Sequence, residues 1–296
     1  MSPVLYYFLS LTGTNILMCW SLYLPYRVGQ LHFLTVACML ASAYFSGYAA
    51  RELSWPFALI LIFGVLIGAL ICLIPSFTIG DAPCFTVVIV GLTVIFIFKT
   101  AVENIPALGG TIGFFGIPEV KGLLPLTYLL LAGAGVLIYK IDHSRLGRAA
   151  SLVFVDKATA AATGVDIKRL GMFFQIIAGG LAGLAGTLYA FLIGSLFPEF
   201  FSLGIIGTFM CMLFVGGHTT MWGIIASIPI LEGMQLFLPS SVASWRQVIY
   251  ALTLIAIVLM LPGGLITKRM LINLTAKMFN RSDTGKASGT IDKCIK

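Results

Sequence analysis

Apolar residues fill this chain in long runs, each closed by charges or by Pro and Gly: 3–24, 31–49, 55–75, 83–102, 121–141, 170–193, 203–217, 221–238 and 246–262. Several reach the ~20 residues a helix needs to cross the hydrocarbon core of a bilayer. None shows the polar–apolar alternation, in ~10-residue segments, of a membrane β-barrel. The pattern predicts an all-α fold, a polytopic transmembrane helical bundle of about 8–10 spans. The run at 203–217 is short and glycine-bounded, which suits a half-helix or a tilted span. The stretch NIPALGGTIGFFGIP, 104–118, is apolar but too short and too rich in Gly and Pro to span. It is expected to form a re-entrant or partly buried loop, because broken backbone at membrane depth is tolerated only inside protein or beside a water-filled cavity.

One polar island interrupts the runs, from Asp142 to Arg169. Its first part, SRLGRAASLVFV, opens on Ser144, a residue type that caps helix N-termini. Its second part, DKATAAATG, offers Asp156 as a cap, alanines that favour helix, and Gly164 in position to end it. The island therefore reads as two short helical pieces with small side chains on their surface. That shape suits insertion into a groove on another protein, and an ordinary solvated connecting loop is the alternative. Lys140, Arg145, Arg148, Lys157, Lys168 and Arg169 flank it, and Lys268, Arg269, Lys277, Arg281, Lys286, Lys293 and Lys296 lie in the tail. The positive-inside rule puts both segments in the cytoplasm. The four runs between them make the two placements agree. Counting back puts the N-terminus and the 104–118 loop outside, although Arg27, Arg51 and Lys121 give mixed votes. Residues 1–271 are thus expected to form the transmembrane domain, with the cytoplasmic loop 143–169 within it. The polar end, 272–296, is expected to be a disordered cytoplasmic tail whose basic residues lie against anionic membrane lipid.

Composition agrees with this and narrows the chemistry. Of 296 residues, 59% are hydrophobic and 10% charged, against roughly 25% charged in soluble domains. The net charge of +7 forms no basic patch on a soluble domain, so no nucleic-acid partner is expected. Six cysteines are scattered without CxxC spacing, which speaks against a disulfide framework or a zinc site. His32, His143 and His218 have no metal-ligand spacing, and there is no phosphate-binding GxxxxGK[ST] loop and no GxSxG elbow. No catalytic residue, metal site or cofactor of its own is expected in this chain.

Ionisable and polar groups within the runs stand out, because each is costly in lipid. Glu232, in IPILEGMQLF, either faces a translocation cavity or bonds a neighbouring helix, or else reaches the interface near the end of its span. Lys99 and Glu103 stand four apart and could pair on one helical face. His32 and Thr35 share a helical face and could line a substrate path, or the histidine could bond an adjacent helix. Ala37, Ala41 and Ser42, with Gly179, Gly183 and Gly186 of GGLAGLAG, mark close helix packing.

The run GRAASLVFVDKATAAATGV, followed by KRLGMFFQIIAGGLAGLAGTLYA, closely resembles the membrane permease subunits of branched-chain amino-acid ABC importers. There the cytoplasmic segment typically reads GRAxxAIRE(D/N)xxAAxxxGI and leads into a glycine- and alanine-rich span. PEFFS at 198–202 is similar to that family's PExFS, VGGHTTMWG at 215–223 to its LGGxGSxWG, and IYALTLIAIVLMLPGGL at 249–265 to its YGxxLIxxxxxxPxGL. These form one ordered series over about 143–265. In the first half GGTIGFFGIP, 109–118, looks like GGxxGLxGIP, bringing Gly109 and Gly110 into the substrate-path set. The usual LGHAAFFGIGAY stands here as LTVACMLASAY, with Thr35 at the histidine, and IRE stands as VFV at 153–155.

The resemblance implies a subunit of an importer in a bacterial inner membrane. A second permease subunit, usually a different chain, would share the translocation path. Two cytoplasmic ABC ATPase subunits, carrying the ATP and Mg, would drive it, and a periplasmic substrate-binding protein would deliver solute. Asp156, Ala160 and Gly164 would form the element docked into an ATPase cleft, with Arg145 and Arg148 supporting it. His32, Thr35, Gly109, Gly110 and Glu232 are the candidates for the path. Branched-chain amino acids or related small polar solutes are the expected cargo. The alternatives are a sugar, nucleoside, urea or amide permease of the same superfamily, or a self-contained secondary transporter. The last would need ion-coupling carboxylates at mid-membrane, and Glu232 stands nearly alone.

Overall fold

The computed structural model describes residues 2–237 other than 80, 81, 121, 218 and 219, together with 252, 255 and 259. The expected tail, and the expected span 246–262 apart from those three helical positions, lie outside the described residues. The rest is a helical bundle. Its helices are α1 (Pro3–Tyr26), α2 (Leu34–Arg51), α3 (Phe57–Ile79), α4 (Cys84–Asn104), α5 (Leu123–His143), α6 (Arg145–Val155), α7 (Lys157–Ala162), α8 (Ile167–Ile193), α9 (Leu203–Gly216) and α10 (Met221–Phe237). Each long helix falls within a few residues of an apolar run, and the short run at 203–217 forms the short helix α9.

Hydropathy sorts the helices by position. Among the described residues, four are long and apolar enough to cross a membrane, with mean hydropathies of 3.1 for α3, 2.3 for α4, 1.7 for α5 and 2.0 for α8. The first three are mostly unburied within the chain, whereas most of α8 is buried. Helices α1 and α2 are of similar length but carry more Ser, Thr and Tyr, with one Asn in α1. Those polar groups are sheltered, because α1 is buried continuously from Thr12 to Pro25 and nearly all of α2 is buried. The middle of the bundle is therefore α1, α2 and α8, with the greasiest helices outside. Such inversion is expected where lipid, not water, is the surrounding medium.

Small residues set the spacing at the centre. A Cβ added to Gly68 of α3 would come 2.2 Å from the Gly179 carbonyl oxygen, and one added to Gly183 of α8 would come 2.3 Å from that of Gly64. A Cβ on Gly186 would meet the Met39 carbonyl at 2.2 Å. Backbone lies on backbone here, the arrangement small residues permit between membrane helices. Ser42 Oγ donates to the Gly64 carbonyl at 2.9 Å, and Ser46 and Thr187 hydroxyls meet at 2.9 Å across the same seam. The Lys99–Glu103 pair forms on α4, at 3.7 Å.

The two ends of the bundle differ. At one end the 104–118 segment makes two short 3-10 turns and then strand β1 (Phe114–Phe115), which pairs antiparallel with β2 (Ser195–Leu196) beyond α8. Gly113, Phe114 and Ile117 are buried while most of its neighbours are exposed, so the segment is a partly buried loop at the bundle end. Arg51 fastens it by donating to the Phe115 carbonyl at 2.8 Å. At the opposite end, α6 and α7 form a hairpin between α5 and α8. Helix α1 starts at the strand end and finishes at the hairpin end, where Arg27 meets the last turn of α5.

Candidate functional site

The hairpin is built by the residues its sequence nominated. Ser144 Oγ accepts from the Leu146 and Gly147 N–H groups at 3.1 and 3.4 Å and starts α6. Asp156, with extended backbone, ends α6 and caps α7 by accepting from the Ala158 N–H at 2.9 Å. The Thr159 hydroxyl donates to its other carboxylate oxygen. Those donors, Thr159 first and Ala158 next, hold the Asp156 carboxyl below the ordinary carboxylate range. Gly164 follows α7 at φ +82°, a left-handed turn, and a Cβ there would meet nothing within 4 Å. The strain of any other residue would thus be in the backbone alone, roughly 1–2 kcal/mol.

The hairpin presents mostly small side chains on its free face. Asp156, Lys157, Ala158, Thr159, Ala161, Ala162, Thr163 and Gly164 are all exposed. Ala160, expected within the docking element, is fully buried. Its methyl faces the protein and so packs α7 down, and a partner could touch only its neighbours. Arg145 and Arg148, in the first turn of α6, are both exposed, and Arg148 donates back to the His143 carbonyl at 3.4 Å. The apolar VFV trio divides its work. Val153 is buried, the Phe154 ring packs on Tyr26 with centroids 5.7 Å apart, and Val155 is 81% exposed.

What fixes the hairpin to the bundle was not apparent in the sequence. Asp142, the penultimate residue of α5, accepts from the Tyr23 hydroxyl at 2.8 Å on one carboxylate oxygen. Its other oxygen takes the Arg27 guanidinium at 3.2 Å. Both charged side chains are largely enclosed, at 12 and 14% exposure. Tyr26 extends the connection, its ring lying edge-on to Phe214 of α9 at 5.8 Å. Helices α1, α5, α6 and α9 thus converge at the root of the hairpin. The one local signal was a pair of opposite charges at two helix ends.

Inside the bundle, Glu232 of α10 is buried. Thr12 Oγ1 donates to one of its oxygens at 2.9 Å and Asn15 Nδ2 donates to the other, both from α1. Of the two functions open to it, the one realised among the described residues is bonding a neighbouring helix. His32 is also buried, in the non-helical segment between α1 and α2, and its Nδ1 has no partner among the described residues. Its carbonyl accepts from the Thr35 hydroxyl at 3.3 Å, so these two are neighbours as expected. Close by in sequence, Gln30 accepts from Gln175 Nε2 of α8 at 2.5 Å. Glu232 bonds α1 near its middle, whereas His32 and Thr35 lie past its other end, toward the hairpin.

Gly109 and Gly110 stand apart from both, in the loop at the strand end. They take φ values of +84° and +57°, and a Cβ on Gly109 would come 2.1 Å from the Gly113 carbonyl oxygen. Glycine is needed there for the turn itself.

Three comparisons with known proteins give one family. A family model described as the permease component of branched-chain amino acid transport systems matches residues 4–258. No curated protein and no solved structure matches.

Proposed function

The chain belongs to the permease-component family of branched-chain amino acid transport systems, and on that premise we propose that it is one of two membrane subunits of an ATP-driven importer. The cargo is a branched-chain amino acid or a related small polar solute. A second permease subunit shares the path, and a periplasmic binding protein loads it from the strand end. The α6–α7 hairpin lies in the cytoplasm and docks into a cleft of an ATPase subunit. ATP and Mg stay on that partner. The chain itself has the role of a transport subunit, not an enzyme.

The observation that carries this reading is the hairpin's construction. Its free face is made of small side chains around α7, and its root is held by Asp142 to two residues of α1. A push on the exposed face is therefore delivered to the helix at the centre of the bundle. A loop that merely joined α5 to α8 would not need a capped helix with a free face of small side chains. Arg145 and Arg148 are exposed on α6 and offer guanidinium donors for a partner carboxylate.

The test is co-purification of the ATPase together with solute uptake in membranes carrying Gly164→Trp or Asp156→Lys. Both positions lie outside the apolar helices, so insertion is expected to be normal while the hairpin is perturbed locally and association and uptake fall together. Undiminished association and uptake in both variants would remove the docking assignment.

A further inference from the structure

A groove of about 470 Å³ runs along the outside of the bundle between α1, α5 and α10. Trp20, Tyr128, Gly135, Tyr139, Met221 and Trp222 line it, among others. Its walls offer hydrocarbon. The Trp20 indole N–H is already donated to the Met221 carbonyl at 3.3 Å, and the Tyr128 hydroxyl to the Leu9 carbonyl at 3.3 Å. Along α5 the groove extends from Tyr128 to Tyr139, which at 1.5 Å per residue is roughly 16 Å. That is about half the ~30 Å hydrocarbon core, the depth of a single leaflet.

The groove ends where charge begins. The Tyr139 ring lies against the His143 ring with centroids 4.1 Å apart, at the last turn of α5. Lys140, His143, Arg145 and Arg148 follow within a short stretch and are all exposed. The one acid among them, Asp142, is already taken up by Tyr23 and Arg27. Among the described residues, no carboxylate pairs with Lys140, Arg145 or Arg148.

We propose that this groove holds one acyl chain of an anionic phospholipid, whose phosphate rests on Lys140 and His143 where α5 gives way to α6. The all-hydrocarbon lining and a length of about one leaflet suit a chain of methylenes. The charge favours an anionic headgroup over a zwitterionic one, since each basic residue near an anionic surface adds ~1 kcal/mol. The lipid would sit beside the root of the hairpin, with α5 forming one wall of its groove.

The experiment is native mass spectrometry of the full chain after exchange with phosphatidylglycerol or phosphatidylcholine of the same acyl composition. Wild type is expected to retain one phospholipid, with phosphatidylglycerol preferred about fivefold or more. Ala132 lines the groove and is exposed, so Ala132→Trp is expected to fill the groove and lose the retained lipid of both kinds. Lys140→Gln with His143→Gln leaves the groove open and is expected to keep a lipid but lose the preference. Equal retention by Ala132→Trp, or an unchanged preference in the double variant, overturns the proposal. So does cross-linking from a cysteine at position 132 to residues 246–262 or to a second permease subunit, because either would show protein in the groove. Lipid retention is read without transport, so this result stands or falls separately from the coupling role of the hairpin.

Discussion

Tyr23 and Asp142 lie 119 residues apart in sequence and meet hydroxyl to carboxylate at 2.8 Å. With Arg27 on the other carboxylate oxygen, they join the end of the first helix to the base of the hairpin. Hydrogen bonds to charged groups contribute roughly 1.5–3 kcal/mol when enclosed. Asp142→Ala strands the Arg27 guanidinium and the Tyr23 hydroxyl together. The expected outcome is a loss of about 2–4 kcal/mol of stability, read as a lowered midpoint of thermal unfolding in detergent. Arg27→Asp with Asp142→Arg is expected to recover part of it. No recovery would mean that the pair is held by its surroundings and not the reverse.

The Glu232 carboxylate is bonded by Thr12 and Asn15. Glu232→Gln keeps an acceptor for the Thr12 hydroxyl, and Glu232→Leu leaves both α1 groups without one. The leucine variant is expected to lose roughly 1–3 kcal/mol and to loosen α10 from α1, measured by cysteine cross-linking between the two helices. The glutamine variant is expected to stay close to wild type. A glutamine variant that folds normally but transports nothing would assign the charge a part in the path.

Glycines of α8 that look alike in sequence should differ sharply. An alanine Cβ at Gly183 would press on the Gly64 carbonyl at 2.3 Å, while one at Gly180 would sit 3.5 Å from a Val65 methyl, an ordinary contact. Gly180→Ala is expected to be neutral within ~1 kcal/mol. Gly183→Ala must push α3 away and is expected to reduce the yield of folded protein severalfold in size-exclusion chromatography. Equal tolerance at both would refute the backbone-on-backbone seam.

The capping of α7 should depend on pH. The Asp156 carboxyl is held below its ordinary range, by the Thr159 hydroxyl first and the Ala158 amide second. A depressed value in the folded chain means that the stabilisation is present above the unfolded value and is lost as pH falls through the folded one. Amides of Ala158 and Thr159 are therefore expected to lose hydrogen-exchange protection, after correction for the intrinsic rate, only on acidification below the usual carboxylate range. Asp156→Asn retains a capping oxygen that does not titrate, and should remove the dependence. A dependence that survived the substitution would move its cause elsewhere.

Much of this was legible in local pattern, because apolar runs, caps and glycine stops act on near neighbours. Ser144, Asp156 and Gly164 stand where their types required, and the extra glycines of 109–116 matched a loop of tight turns. The partners of Asp142 and Glu232 were not legible, since each contact joins helices made far apart and depends on how the bundle closes. Ala160 shows a subtler limit. In a run of alanines nothing in composition tells the face that packs from the face that waits, and only the tertiary seat of α7 turned this methyl inward.

The contact between α1 and α10 also sets an order of assembly. Asn15 precedes Glu232 by 217 residues, which at ~5–20 residues per second is roughly 10–45 s of synthesis. Throughout that interval the first helix stands in the membrane with a threonine and an asparagine lacking the acceptor they finally use. Until α10 arrives, these side chains must use other acceptors, such as the carbonyl four residues back that the Thr14 hydroxyl uses. A chain stalled before position 232 would have every helix of the hairpin and still lack its final closure.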